Sequence, residues 1–129
     1  MTAADLKRIE GGLGITIPKD YRKLMLSRGA ELNAVGLGDI LFLEADNVII
    51  TNLVERKLNS GTGYAFPKWW KRFFLVGTNG GGDYYCLRLD RNRKVWMIGS
   101  DCGDKPMEMH GSLAEFVEME IPSYQADEA

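Results

Sequence analysis

Hydrophobic residues recur every three or four positions in the first part of the chain, the spacing of a helix that buries one side. Thr2 and Asp5 match a capping box at the start of a helix. Leu6, Ile9 and Leu13 follow with helical spacing. Several glycines then interrupt the pattern. The sequence therefore predicts a short first helix.

A second helix is predicted from Pro18 to residue 28. Proline suits the first position of a helix, because its fixed backbone angle is helical and its missing N–H has no partner there. Tyr21, Leu24 and Met25 lie on one side of this helix, and Gly29 predicts its end.

The segment from residue 40 to 58 has two interpretations. Residues 40–44 are predicted to form a strand, and Asp46 or Asn47 then caps a third helix. The apolar side of that helix consists of Ile50, Leu53, Val54 and Leu58. However, residues 48–51 are four β-branched side chains in a row, which also suits a strand, so both interpretations stay open here.

From residue 73 the period changes to two, which is typical of strands. Three short runs, at 73–76, 84–89 and 95–98, are separated by turn-forming residues, and 107–109 is predicted as an edge strand. This pattern predicts an antiparallel meander.

The middle run assigns its side chains to two faces. Tyr85, Leu87 and Leu89 share one face, whereas Tyr84, Cys86 and Arg88 share the other. We expect the first set to face the helices and the second to face solvent or a partner.

A last helix is predicted after Ser112 and Glu115, which form a second capping box in front of an apolar run. Pro122 is predicted to end it, leaving residues 123–129 as a loose tail. Strands clustered between helices predict the α+β class, with the meander sheet packed against helices. At 129 residues we expect a single domain with its core over about 2–120.

Composition and charge exclude several classes of protein. With 45% hydrophobic and 26% charged residues, the chain is too apolar to be disordered. A net charge of -2 argues against a nucleic-acid binder. No apolar stretch suits a signal peptide or a membrane span, so we expect a cytoplasmic protein with no membrane partner and with its two cysteines reduced.

The small net charge hides two segments of opposite sign. Residues 67–95 hold seven basic and two acidic residues, for a net +5. The segment from residue 100 onward contains eight acidic residues and one lysine, for a net charge of -7. The acidic segment would complement a basic partner and speed association with it.

Candidate catalytic and ligand-binding motifs are weak. The loop at 77–83 is rich in glycine, but no Lys-Ser/Thr pair or helix follows it, which favours a hairpin turn over a phosphate site. We expect Asp83 to satisfy backbone donors in that turn. Cys86, Cys102 and His110 lack the spacing of a metal or nucleophile site, so we expect no metal, no cofactor and no enzymatic activity.

The aromatic and basic stretch at 66–74 has three interpretations. It suits a stacking platform for single-stranded nucleic acid, a set of core rings flanked by solvated cations, or an anchor for a protein partner. Side-chain type and expected exposure select six candidate partner-binding residues: Trp69, Trp70, Tyr84, Arg88, Asp101 and Asp104.

Two longer segments together resemble a known family. Residues 12–26 read GLGITIPKDYRKLML and are followed by Gly29, and residues 74–89 read FLVGTNGGGDYYCLRL. Both are similar to signatures of the SUKH superfamily, in the same order. One departure is that Asp90 stands one position later than the acidic residue of the second signature.

The resemblance implies an α+β fold and, for most bacterial members, a non-enzymatic immunity protein. Such a protein binds and neutralises a cognate polymorphic toxin, often a nuclease or nucleic-acid deaminase. Fungal relatives resemble regulatory scaffolds, which is the alternative function. The motif residues carry over as structural: Pro18, Tyr21, Gly81, Gly82 and Asp83. We expect a monomer or a weak homodimer.

Overall fold

The computed structural model describes the backbone of residues 1–61, 73–78, 83–89, 94–99 and 107–127, and their side chains except at 55–61, 99 and 121–127. Four helices lie in the described chain: α1 (Ala3–Leu13), α2 (Lys19–Ala34), α3 (Ala45–Gly61) and α4 (Leu113–Asp127). Four strands form one sheet: β1 (Phe73–Thr78), β2 (Asp83–Arg88), β3 (Val95–Gly99) and β4 (Met107–His110). The fold is a single-domain α+β fold, as predicted.

The sheet is an antiparallel meander with the strand order β1-β2-β3-β4. Phe74 pairs with Leu87 and Tyr84 pairs with Ile98, which confirms the predicted order of strands. Strands β1 and β2 pair antiparallel, whereas the hairpin turn expected at the glycine-rich loop lies at residues 79–82, outside the described chain.

One face of the sheet supports the main core. Phe74, Val76 and Leu87 meet buried residues of the helices, such as Leu6 of α1 and Phe116 of α4, in one cluster. Tyr85 and Leu89 pack against the same cluster, so the predicted helix-facing side of β2 is confirmed.

The capping box of α1 forms as predicted. Thr2 Oγ1 accepts a hydrogen bond from Asp5 N at 3.2 Å, and Asp5 Oδ2 accepts one from Thr2 N at 2.9 Å. Gly14 ends the helix with a φ of 65°, a left-handed backbone that glycine adopts without steric cost. At α4, Ser112 Oγ accepts from Glu115 N at 3.0 Å, whereas the Glu115 carboxylate reaches Gly111 N instead of its own cap residue.

Helix α2 is longer than predicted, because Gly29 does not end it. Gly29 lies buried within the helix, and a Cβ at this position would stand 3.2 Å from the Met1 nitrogen. Leu32, which is fully buried, anchors the next turn to the core. The glycine is therefore a close-packing residue, and apolar burial beyond it extends the helix to Ala34. Pro18 occupies the N-cap, one position before the predicted one.

The strand predicted at 40–44 is wrong. Leu37–Asp39 form a 3₁₀ helix, and Leu41 N bonds back to Leu37 O at 2.9 Å. Only a short segment then lies alongside β1 and bonds to it. Phe42 N donates to Val76 O at 2.9 Å, and Thr78 N donates to Ile40 O at 2.8 Å. Because α3 begins at Ala45, the extended piece is limited to one isolated bridge, between Leu41 and Gly77.

The ambiguous segment after residue 44 is a helix, α3. Among its described side chains, the buried ones are Ala45, Val48 and Asn52, which face the core and β1. The apolar side named from the sequence faces the other way: Ile50, Leu53 and Val54 are 59%, 47% and 46% exposed. Leu58 lies outside the described side chains.

Helix α4 does not end at Pro122, so that prediction is wrong. The helix continues to Asp127, and residues 123–127 are therefore helical instead of a loose tail. A proline inside a helix removes the hydrogen bond of its own missing N–H, but the bonds of the residues on either side remain possible.

Candidate functional site

The face of the sheet turned away from the main core carries the candidate residues that the structure describes. Tyr84, Cys86 and Arg88 alternate along β2 on this second face. Leu75 lies opposite Cys86 on β1, and Trp96 lies opposite it on β3. The sequence assigned the three β2 residues to this face correctly, because alternation fixes which side chains share a side.

A second apolar cluster forms the floor of this face. It consists of four buried residues, Phe73, Leu75, Cys86 and Ile98, with the half-buried Tyr84 and Trp96 packed against them. The rings of Phe73 and Trp96 meet edge to face, with centroids 6.3 Å apart and an interplanar angle of 77°. This geometry is a favourable one for aromatic pairs, so the floor is well packed.

Cys86 corrects the expectation that this whole face meets solvent or a partner. Its side chain is fully buried, and the thiol lies 3.5 Å from the carbonyl oxygen of Trp96. The reason is size, since the small thiol stands in register between the larger side chains of Leu75 and Trp96. Only the longer neighbours of Cys86 on β2 reach outward.

Tyr84 and Arg88 stand near opposite ends of the second face. Tyr84 lies between Thr78 and Ile98, and Arg88 lies opposite Phe73. Both are half-buried, and four residues of strand separate them by roughly 13 Å. The structure therefore places two of the six candidate partner-binding residues on one face. The other four lie outside the described residues: Trp69, Trp70, Asp101 and Asp104.

Trp96 belongs to the same surface and was missed as a candidate. It is half-buried between the ends marked by Tyr84 and Arg88. The alternation of β3 would have found it, because Val95 and Met97 face the helices and Trp96 therefore faces the other side. Tyrosine, tryptophan and arginine are the side chains enriched at the energetic centres of protein interfaces. The second face thus has the composition of a protein-contact surface.

Pro18 and Tyr21 have structural roles in the described chain. The Pro18 carbonyl accepts a hydrogen bond from Arg22 N at 3.1 Å, which starts α2. The Tyr21 ring is fully buried and meets Phe74 edge to face at 5.1 Å. Burial raises the pKa of the Tyr21 hydroxyl, because the ionised form would lose its hydration. Tyr21 therefore joins α2 to the sheet.

Asp83 begins β2 and is almost completely buried. Its carbonyl oxygen accepts a hydrogen bond from Thr78 Oγ1 at 3.0 Å, which links the two strands where they leave the hairpin. The donors predicted for its carboxylate lie in the turn, outside the described residues, as do Gly81 and Gly82.

Within the described residues, the acidic last segment forms ion pairs with Arg28 and Lys94. Glu118 of α4 bonds to Arg28 of α2 at 2.6 Å, and Arg28 also reaches Glu31. These carboxylates raise the pKa of the Arg28 guanidinium. Lys94 pairs with Glu108 of β4 at 3.0 Å, so the basic middle segment and the acidic last segment touch here.

The described residues show neither a metal centre nor a membrane helix. Among them, no three His, Cys, Asp or Glu side chains come together in a way that would hold a metal ion. Within the same part of the chain, no helix combines the length and apolarity needed to cross a bilayer.

Comparison with known proteins supplies the family. No curated protein matches this chain. The model of the SMI1 / KNR4 family (SUKH-1) matches residues 1–119, which include both motif segments and every described strand. The chain therefore belongs to the SMI1 / KNR4 family (SUKH-1).

Proposed function

We propose that this chain is a non-enzymatic immunity protein that binds a cognate bacterial polymorphic toxin and neutralises it stoichiometrically. Family membership over residues 1–119 carries the proposal, because the resemblance to SUKH proteins implies this role for most bacterial members. An inhibitor of this kind needs a stable surface that docks on the toxin and covers its active cleft or substrate groove.

The second face of the sheet is the surface that we propose for docking. Tyr84, Trp96 and Arg88 are half-buried over a packed apolar floor, so binding would order few new rotamers. Rigid aromatic and guanidinium anchors of this type contribute most of the binding energy in many interfaces. Trp69, Trp70, Asp101 and Asp104 remain proposed contributors from their side-chain type.

The proposed toxin is a basic protein that acts on nucleic acid, such as a nuclease or a deaminase. The acidic last segment supports this class, since its net charge of -7 would attract a basic partner and speed its association. Neutralisation in a cell requires a Kd near 1 nM, about -12 kcal/mol, and typically about 1,600 Å² of buried surface.

A growth assay tests the proposal. The candidate toxin, encoded by the adjacent gene, is expressed alone and together with this chain, and binding of the purified pair is measured by calorimetry. We expect restored growth and a 1:1 complex with nanomolar affinity. A toxin candidate that kills with or without the chain, and does not bind it, would contradict the proposal.

Variants of the second face test the docking surface. Arg88→Glu and Tyr84→Ala should each weaken toxin binding at least tenfold, by about 1.4 kcal/mol or more. Lys23→Glu on the exposed surface of α2 is the matched charge reversal and should leave binding unchanged. Equal affinity of Arg88→Glu and Lys23→Glu would place the docking surface elsewhere.

The alternative function is a regulatory scaffold that binds a cellular protein without a toxin partner. The same family membership supports it, because the resemblance links fungal members to such a role. Genomic context separates the two functions, since a toxin gene next to this one favours the immunity role.

A further inference from the structure

The second face of the sheet continues across β3 to the ion pair between Lys94 and Glu108. Glu108 lies directly opposite Trp96 in the register of β3 and β4, so the two side chains point to the same side of the sheet. Lys94 belongs to that side as well, because it stands two residues before Trp96 along the chain. Its Nζ lies 3.0 Å from Glu108 Oε1. The proposed docking surface therefore contains a carboxylate beside its tryptophan.

This ion pair is open to solvent and easy to separate. The side chains of Lys94 and Glu108 are 44% and 46% exposed. Exposed pairs of this kind contribute little to stability, because water and salt screen the two charges. The contact with Lys94 uses one oxygen of Glu108, and a carboxylate has lone pairs for several donors on its two oxygens. Glu108 can therefore accept a donor from a partner protein in competition with Lys94.

Trp96 determines which kind of donor suits this position. An indole ring attracts a cation over its face more strongly than any other aromatic side chain. Residues directly opposite each other in an antiparallel pair have Cβ atoms about 5 Å apart, so a cation bonded to Glu108 lies within reach of the Trp96 ring. A guanidinium group suits both contacts, because it is planar, stacks on aromatic rings and donates two parallel hydrogen bonds to a carboxylate.

The charges on the second face are divided between its two sides. Arg88 lies on β2, whereas Glu108 lies on β4 and belongs to the acidic last segment, whose net charge is -7. A cation of the partner is therefore favoured over β4 and disfavoured over β2. This division would fix the direction in which a partner lies on the face, since complementary charges set the register of an interface.

We propose that Glu108 and Trp96 together bind an arginine side chain of the partner protein, which displaces Lys94 from Glu108. The inference rests on the proposed docking of a toxin on the second face, and it names the group that the toxin contributes there. Lys94 pairs with Glu108 in the free protein. A partner without a guanidinium at this position would leave that pair in place and gain nothing from it, so the exchange selects among partners.

Two substitutions that break the same ion pair test the proposal. Glu108→Gln removes the carboxylate and should weaken binding of the toxin encoded by the adjacent gene by about tenfold or more. Lys94→Met removes the competing ammonium group and keeps an apolar side chain, so it should strengthen binding by about threefold. Calorimetry of the purified proteins measures both affinities. If the pair only held β3 and β4 together, the two variants would change the affinity in the same direction.

Further variants separate the stacking contact from the charge contact. Trp96→Leu keeps an apolar side chain without the aromatic ring and should weaken binding by about fivefold. Glu44→Gln changes an exposed carboxylate outside the sheet and should bind as the wild type does. Raising NaCl from about 50 mM to about 500 mM should weaken the wild type more than Glu108→Gln, because salt screens the charge pair that the variant lacks. Circular dichroism checks that every variant folds.

The direction of the two affinity changes decides the outcome. Weaker binding of Lys94→Met with tighter binding of Glu108→Gln would mean that the partner brings a carboxylate to Lys94. Equal losses would give the pair a purely structural role, and two unchanged affinities would place it outside the interface. Each of these results overturns the inference while the docking itself stands. A wild-type chain that does not bind the toxin overturns the proposed function and the inference together.

Discussion

The side-chain amide of Asn52 forms two hydrogen bonds with the main chain of Leu75. Asn52 Oδ1 accepts from Leu75 N at 2.9 Å, and Asn52 Nδ2 donates to Leu75 O at 3.0 Å. The same Nδ2 donates to Val48 O at 2.8 Å within α3. One fully buried side chain thus takes the place of a neighbouring strand at the edge of β1 and fixes α3 against the sheet.

Removing this amide should destabilise the fold strongly. Asn52→Ala leaves both polar groups of Leu75 buried without their partner, and each unsatisfied group costs about 1–3 kcal/mol. We expect the free energy of unfolding in urea to fall by about 3 kcal/mol. Asn47→Ala, at an exposed position of the same helix, is the control and should change it by less than about 1 kcal/mol. Similar values for the two variants would show that the Asn52 bonds contribute little.

Alanine at two glycines should have opposite effects. A Cβ on Gly77 would lie 1.9 Å from the Ile40 carbonyl oxygen, so Gly77→Ala must push residues 40–42 away from β1. We expect this variant to lose about 3 kcal/mol or more of stability. Gly11→Ala meets open space in a helix and should gain up to about 1 kcal/mol. Chemical denaturation measures both, and a neutral Gly77→Ala would contradict the close approach.

The carboxylate of Glu10 should make stability depend on pH. It accepts a hydrogen bond from Ile17 N at 2.9 Å and pairs with Arg22 at 2.7 Å, and both contacts hold its pKa below the usual value of 4.5. Because the folded-state pKa is lowered, the stabilisation is complete above pH 4.5 and is lost as the pH falls through the folded-state pKa.

Thermal melting of Glu10→Gln at two pH values checks this dependence. The variant should melt a few degrees below the wild type at pH 7, and the difference should shrink as the pH falls through the lowered folded-state pKa of Glu10, because protonation removes the charge from the wild type. Glu44→Gln changes an exposed carboxylate and should follow the wild type at both values. A gap for Glu10→Gln that does not change with pH would argue against a charge effect.

The thiol of Cys86 should be unreactive in the folded protein. It is fully buried between Leu75 and Trp96, so a thiol reagent reaches it only when the sheet opens. In a Cys102→Ser background, Cys86 is the only thiol, and we expect labelling at least about 100-fold slower in buffer than in urea. Rapid labelling in buffer would mean that the second face is open to solvent.

Sequence determined the features of this protein that depend on neighbours along the chain. The capping box of Thr2 and Asp5 follows from a spacing of three residues, and alternation alone assigned Tyr85 and Leu87 to the core side of β2. These features were predictable because local hydrogen bonds and side-chain periodicity do not require knowledge of distant segments. The antiparallel meander followed from short strands separated by turn residues.

Tertiary structure alone decided which apolar side of α3 is buried and how far α2 extends. Asn52 is a polar residue that the sequence pattern would leave exposed. It is buried because the main-chain N–H and C=O of Leu75, 23 residues away, bond to its side chain. Gly29 reads as a helix end, yet packing against Met1 and the burial of Leu32 carry the helix past it. The local sequence sets the conformational preference of each segment. Contacts between distant segments contribute more free energy than these preferences, so they determine which conformation forms.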